Sequence, residues 1–96
     1  MIVPMLNPDG VIMGNNRVSI SGSDLNREFL NPDRNLHPEI YYLKDHVNKL
    51  IENNQKPYLY IDMHSHSYKK SFFMYSNYFP LHDPNYYFIR ILPGLI

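Results

Sequence analysis

Apolar residues along this chain fall in short blocks, and each block has its own spacing. Met1 to Leu6 (MIVPML) is nearly all apolar and predicts a short buried strand. Asn7-Pro8-Asp9-Gly10 follows as a turn signal, with Pro presetting φ and Gly supplying positive φ. Residues 11–35 mix Gly, Asn, Ser and Asp with short apolar groups and predict a long structured loop; loops of that length in compact domains are usually functional. From Pro38 the period changes. Ile40, Leu43, Val47, Leu50 and Ile51 form one apolar stripe at helical spacing, Pro38 suits the first helical position, and Glu39 complements the helix N-terminus. Asn53, Asn54 and Pro57 mark its end. Tyr58 to Met63 (YLYIDM) and Ser71 to Tyr75 (SFFMY) read as strands by composition and length. The tail from Pro80 to Pro93 is aromatic and proline-punctuated and shows no clear period. Strand, loop, helix, strand, strand is the order of an α/β sheet.

Length and charge narrow the function. A chain of 96 residues makes one small domain at most, and such a domain buries only roughly 60–65% of the surface its unfolded chain exposes. Net charge is zero, so no basic excess points to nucleic acid or to an anionic membrane surface. The absence of cysteine removes disulfides and thiolate metal sites and suits a cytoplasmic protein. There is no signal-peptide pattern at the N-terminus, and no apolar run approaches the roughly 20 residues that cross a bilayer. A hydrophobic content of 44% places the chain with globular rather than disordered sequences.

The densest chemistry lies at the end of the YLYIDM segment. Asp62, His64 and His66 alternate, and on a pleated strand they would share one face. Ligands in open α/β sheets bind beyond the carboxyl ends of strands, which would place a neutral His64 imidazole where a metal could take it. An ordinary surface histidine at a strand end is the competing interpretation. Asp-x-His-x-His at a strand end also resembles the metal motif of amidohydrolases and related phosphoesterases, and the motif alone leaves the two enzyme classes open.

Three upstream segments separate them: Pro4-Met5-Leu6-Asn7-Pro8-Asp9-Gly10-Val11, Gly14-Asn15-Asn16-Arg17, and Gly22-Ser23-Asp24-Leu25-Asn26-Arg27. In that order, followed by Asp62-Met63-His64-Ser65-His66-Ser67, they resemble zinc carboxypeptidases of the carboxypeptidase A type, the cytosolic carboxypeptidase group above all. The similarity continues through Lys69, Lys70 and Phe73-Met74-Tyr75 and, more weakly, Arg90-Ile91-Leu92-Pro93.

The resemblance implies roles that the chemistry of the side chains supports. Asn26 and Arg27 match the pair that binds the free C-terminal carboxylate of the substrate; a planar guanidinium makes paired, charge-assisted bonds to both oxygens. Arg17 matches the arginine that stabilises the oxyanion on the scissile carbonyl. Asp24 matches the aspartate that orients a zinc-ligating histidine through its other ring nitrogen. His64 matches the last zinc ligand. Each has a plainer alternative: a solvated Asn-Arg surface, a weak surface ion pair for Arg17, a helix cap for Asp24.

The same resemblance exposes what is missing. Catalytic zinc takes three protein ligands and an open position, and in this family the other two come from an upstream His-x-x-Glu. Three residues after His37, His46, His64, His66 and His82 stand Ile40, Lys49, Ser67, Lys69 and Asn85. No Glu follows Glu52, so the downstream general base has no counterpart. The expectation is a partial peptidase domain over residues 1–96: an α/β/α zinc-carboxypeptidase fold with a mixed sheet, truncated at both ends. Its whole family would use zinc to cut C-terminal glutamates from proteins or peptides such as polyglutamylated tubulin, and the 96 residues alone would be inactive. The rivals are an amidohydrolase or phosphoesterase centre at Asp62, His64 and His66, and an inactive remnant that binds a partner.

Overall fold

The computed structural model describes residues 1–96, in two units, Met1–Ile61 and Asp62–Ile96. The elements run α1 (Pro8–Ile12), a single 3-10 turn (Leu25–Arg27), α2 (Pro38–Glu52) and α3 (Asn85–Leu95).

In the first unit the NPDG signal forms a one-turn helix rather than an open turn. Asn7 is its N-cap and accepts the Gly10 N–H at 3.0 Å through Oδ1. Its Nδ2 donates to the Val18 carbonyl at 3.2 Å, which ties α1 to the loop that follows. Gly10 is buried beneath this amide, and a Cβ there would collide with the Asn7 side chain. Gly14, at φ +69, ends α1 in the left-handed conformation that glycine adopts without steric penalty.

The helix predicted from Pro38 runs to Glu52. It closes with a Schellman pattern: Gln55 N–H donates to Leu50 O at 2.7 Å and Asn54 N–H to Ile51 O at 3.1 Å, with Asn54 at φ 58 in the left-handed region. Of the stripe, Ile40 is fully buried, Leu43, Val47 and Leu50 are half-buried, and Ile51 is exposed. Lys44 reaches across and donates through Nζ to the carbonyls of Phe29 at 2.6 Å and Leu30 at 3.0 Å, holding the loop against α2. The apolar core is small: Leu25 and Ile40 are its buried hydrophobic residues, and Ser19 and His37 are buried polar ones.

The α/β prediction is overturned. No strand or sheet forms, so there is no α/β/α mixed-sheet layer. Met1–Leu6, Tyr58–Met63 and Ser71–Tyr75, all predicted strands, have no regular hydrogen bonding. Tyr58 is 103% exposed and Met63 94%. The reason is the difference between the two elements. A helix satisfies its own backbone through i→i−4 bonds. A strand needs a neighbour for its N–H and C=O groups, and a parallel sheet needs both faces covered. None of these segments is paired in a ladder.

In the second unit, α3 arises from the aromatic tail that carried no clear period. Asp83 Oδ1 accepts the Asn85 N–H at 2.8 Å at its start. Arg90 lies over the Tyr86 ring, 3.6 Å from its centroid, and donates to the Tyr86 carbonyl at 2.7 Å. Pro93 sits inside the last turn, where its lack of an N–H leaves the Ile89 carbonyl without an i→i−4 donor just before the helix stops at Leu95. None of the α3 residues is buried.

Candidate functional site

The residues singled out in Gly22–Arg27 meet on one short turn. Asp24 is the N-cap of the 3-10 turn, and its Oδ1 accepts the Asn26 N–H at 3.1 Å. Its other oxygen pairs with Arg17, Nη2 to Oδ2 at 2.9 Å. Asn15 Oδ1 accepts the N–H groups of Arg17 at 2.9 Å and Val18 at 3.1 Å, which turns the Arg17 backbone toward the 24–27 segment. Asp24 therefore fills the cap role and in addition neutralises Arg17. Because the Arg17 side chain is well exposed, this pair is worth only about 0–1 kcal/mol.

Leu25 is buried and anchors the turn, while Asn26 and Arg27, which follow it, are exposed. Arg27 forms no ion pair, so its guanidinium is free to receive a carboxylate. A shallow cavity of about 270 Å³ lies alongside, lined by Asp9, Gly10, Asn15, Ser19, Ile20 and Gly22.

Beneath this turn is a cluster that sequence reading missed. His37, 7% exposed, approaches Ser23 Oγ through Nε2 at 3.0 Å, and its Nδ1 accepts the Asp33 N–H at 3.1 Å. Glu28 Oε2 lies 3.8 Å from the same Nδ1. Asp33 Oδ1 accepts the N–H groups of Asn35 at 2.7 Å and Leu36 at 2.9 Å, and these bonds, Leu36 first, hold its carboxyl below the usual carboxylate range. The available signal was His37-Pro38, a histidine at the N-cap of the helix that sequence did place.

His64 and His66 lie in the second unit, both exposed. Without a strand, the shared-face argument for Asp62, His64 and His66 has no backbone to rest on. His64 donates from Nδ1 to the neighbouring Ser65 carbonyl, which leaves Nε2 as its free nitrogen. His66 Nδ1 accepts two backbone N–H groups, from Tyr68 at 3.2 Å and Lys69 at 3.1 Å. Its ring meets Phe73 edge-on at 5.5 Å, and Lys69 Nζ lies 4.8 Å from the centroids of both Phe73 and Tyr75.

Nowhere do three or more His, Cys, Asp or Glu side chains gather as a metal group. The residues present therefore do not fit a catalytic zinc centre, which takes three protein ligands, nor do Asp62, His64 and His66 assemble the rival one.

Most of the chain is similar to known proteins. Cytosolic carboxypeptidase 1 of Xenopus laevis is 55% identical over 74 residues, 77% of this chain. Cytosolic carboxypeptidase 1 of Homo sapiens is 54% identical and cytosolic carboxypeptidase 4 of Homo sapiens 50% identical, each over the same length. The chain is a cytosolic carboxypeptidase-type segment. It spans only 6% of the length of cytosolic carboxypeptidase 1 and 7% of cytosolic carboxypeptidase 4. No family model matches the chain, and no solved structure does. No helix in this carboxypeptidase-type segment is long and apolar enough to cross a membrane.

Proposed function

We propose that this segment supplies the substrate-carboxylate site of a zinc metallocarboxypeptidase. Asn26 and Arg27 bind the free C-terminus of a protein or peptide, Arg17 leaves its weak, exposed pair with Asp24 to stabilise negative charge on the scissile carbonyl, and His64 contributes one zinc ligand through Nε2. Asp24 orients this region, and the remaining ligands and the general base come from outside these 96 residues. The observation that carries the reading is the exposed, unpaired Arg27 beside Asn26 on a turn anchored by Leu25, within a segment 46–55% identical to cytosolic carboxypeptidases. A guanidinium free of acidic partners holds its donors ready for a carboxylate, and a charge-assisted contact of that kind contributes about 1.5–3 kcal/mol.

The expected substrate class is a polypeptide with C-terminal glutamates, such as polyglutamylated tubulin, met in the cytoplasm; the names of the relatives support the peptidase part of this. A chimera tests the reading. The matched 74 residues replace their counterpart in human cytosolic carboxypeptidase 1, and hydrolysis of peptides with free and amidated C-termini is compared. Cleavage of the free form, lost in Arg27→Ala, is expected. Equal cleavage of both forms would refute the carboxylate role.

A further inference from the structure

The buried apolar core of this chain is two residues deep, and one of them, Leu25, lies inside the turn that displays Asn26 and Arg27. Two apolar contacts are little to fix a turn. The additional restraint is polar. Ser23, immediately before that turn, accepts backbone and hydroxyl donors from Ser19 through its carbonyl, at 3.0 and 3.4 Å, and meets His37 Nε2 through its hydroxyl. His37 in turn is fixed from two directions. Its own N–H donates to the Asp33 carbonyl at 2.9 Å, and its Nδ1 accepts the Asp33 N–H. Since Nδ1 is an acceptor, the neutral ring carries its proton on Nε2 and donates it to Ser23. Buried polar groups of this kind hold geometry because each has its partner.

We infer that His37 is a positioning residue: its imidazole, which accepts at Nδ1 and meets Ser23 at Nε2, pins Ser23 to the start of α2 and so holds the Asp24–Arg27 turn in place for carboxylate binding. The inference rests on the carboxylate role of Asn26 and Arg27 proposed above. The tautomer matters: a proton on Nδ1 would put a donor where the Asp33 N–H already points.

The test is amide hydrogen exchange, read by NMR on the full chain at low temperature. Variants split the two nitrogens. His37→Gln keeps an amide donor near the Nε2 position, His37→Asn places its shorter amide near Nδ1 and leaves the Nε2 position empty, and Ser23→Ala removes the partner. Exchange of the Asn26 and Arg27 amides is expected to quicken roughly two- to tenfold in His37→Asn and Ser23→Ala, the effect of one neutral hydrogen bond. Exchange should stay near the parent's in His37→Gln. Equal effects from Gln and Asn, or parent amides no better protected than those of Ser71–Tyr75, would each overturn the inference. A parallel titration with a glutamate-ended peptide reads the Arg27 side chain. Absence of any shift there, with the exchange pattern intact, would sink the carboxylate role and leave the positioning of the turn standing.

Discussion

Asp24 does two jobs with its two oxygens, and they can be separated. Oδ1 caps the 3-10 turn and Oδ2 neutralises Arg17. Asp24→Asn should keep the cap and release Arg17, leaving the Asn26 amide protected. Asp24→Ala should lose both and cost about 0.5–2 kcal/mol of local stability, the range for a lost N-cap. Equal exchange of the Asn26 amide in both variants would show that the cap is not what holds the turn. The residue types were legible in sequence, since an Asp ahead of an Asn-Arg pair reads as a cap or as a site residue. What was not legible was the pairing of Arg17 with Asp24 or the burial of His37. Both depend on how residues 11–35 fold back, which no local period encodes.

At the scale of elements, α2 is where sequence and structure agree most closely, because everything that makes it is local. Proline at its start, a periodic stripe and paired asparagines at its end act within a few residues of where they stand. Its contribution should therefore be graded by burial. Ile40→Ala removes a fully buried side chain and should cost about 2–5 kcal/mol, enough to melt a chain with so small a core, whereas Ile51→Ala on the exposed flank should cost well under 1 kcal/mol. Helical circular dichroism of the two variants checks this, and a comparable loss in both would mean that the core lies elsewhere. The turn leading into α2 adds a pH dependence. Asp33 is held below its ordinary value by the N–H groups of Leu36 and Asn35, so its folded value lies under its unfolded one. Its stabilising effect is present above the unfolded value and is lost as pH falls through the folded one. Asp33→Asn should flatten the acid limb of the helical signal below about pH 4. An unchanged acid limb would remove Asp33 from the account. The strand predictions failed at this same scale. YLYIDM and SFFMY have the composition of strands, but pairing is a relation between distant segments, and composition does not contain the partner.

The whole chain puts two facts together: the turn that carries Asn26 and Arg27 is formed, and no group of three metal-ligating side chains is. His64 offers one free imidazole nitrogen, and the other ring on its segment spends Nδ1 on the Tyr68 and Lys69 amides. One or two exposed imidazoles hold zinc weakly and without the fixed geometry that activates water. No Glu follows Glu52 to take a proton from such a water. Much apolar surface also remains uncovered, including Tyr58, Met63, Phe72 and, on α3, Tyr87, Phe88 and Ile91. Exposed patches of this kind promote association rather than a single cooperative fold. Residues 1–96 expressed alone should thus release no C-terminal glutamate with added zinc and should unfold over a broad thermal range while binding an apolar dye. By calorimetry, zinc should bind weakly, and His64→Ala should weaken it further. Zinc-dependent turnover, or one sharp transition from a soluble monomer, would mean that the 96 residues build a centre and a core that their side chains do not assemble in this structure.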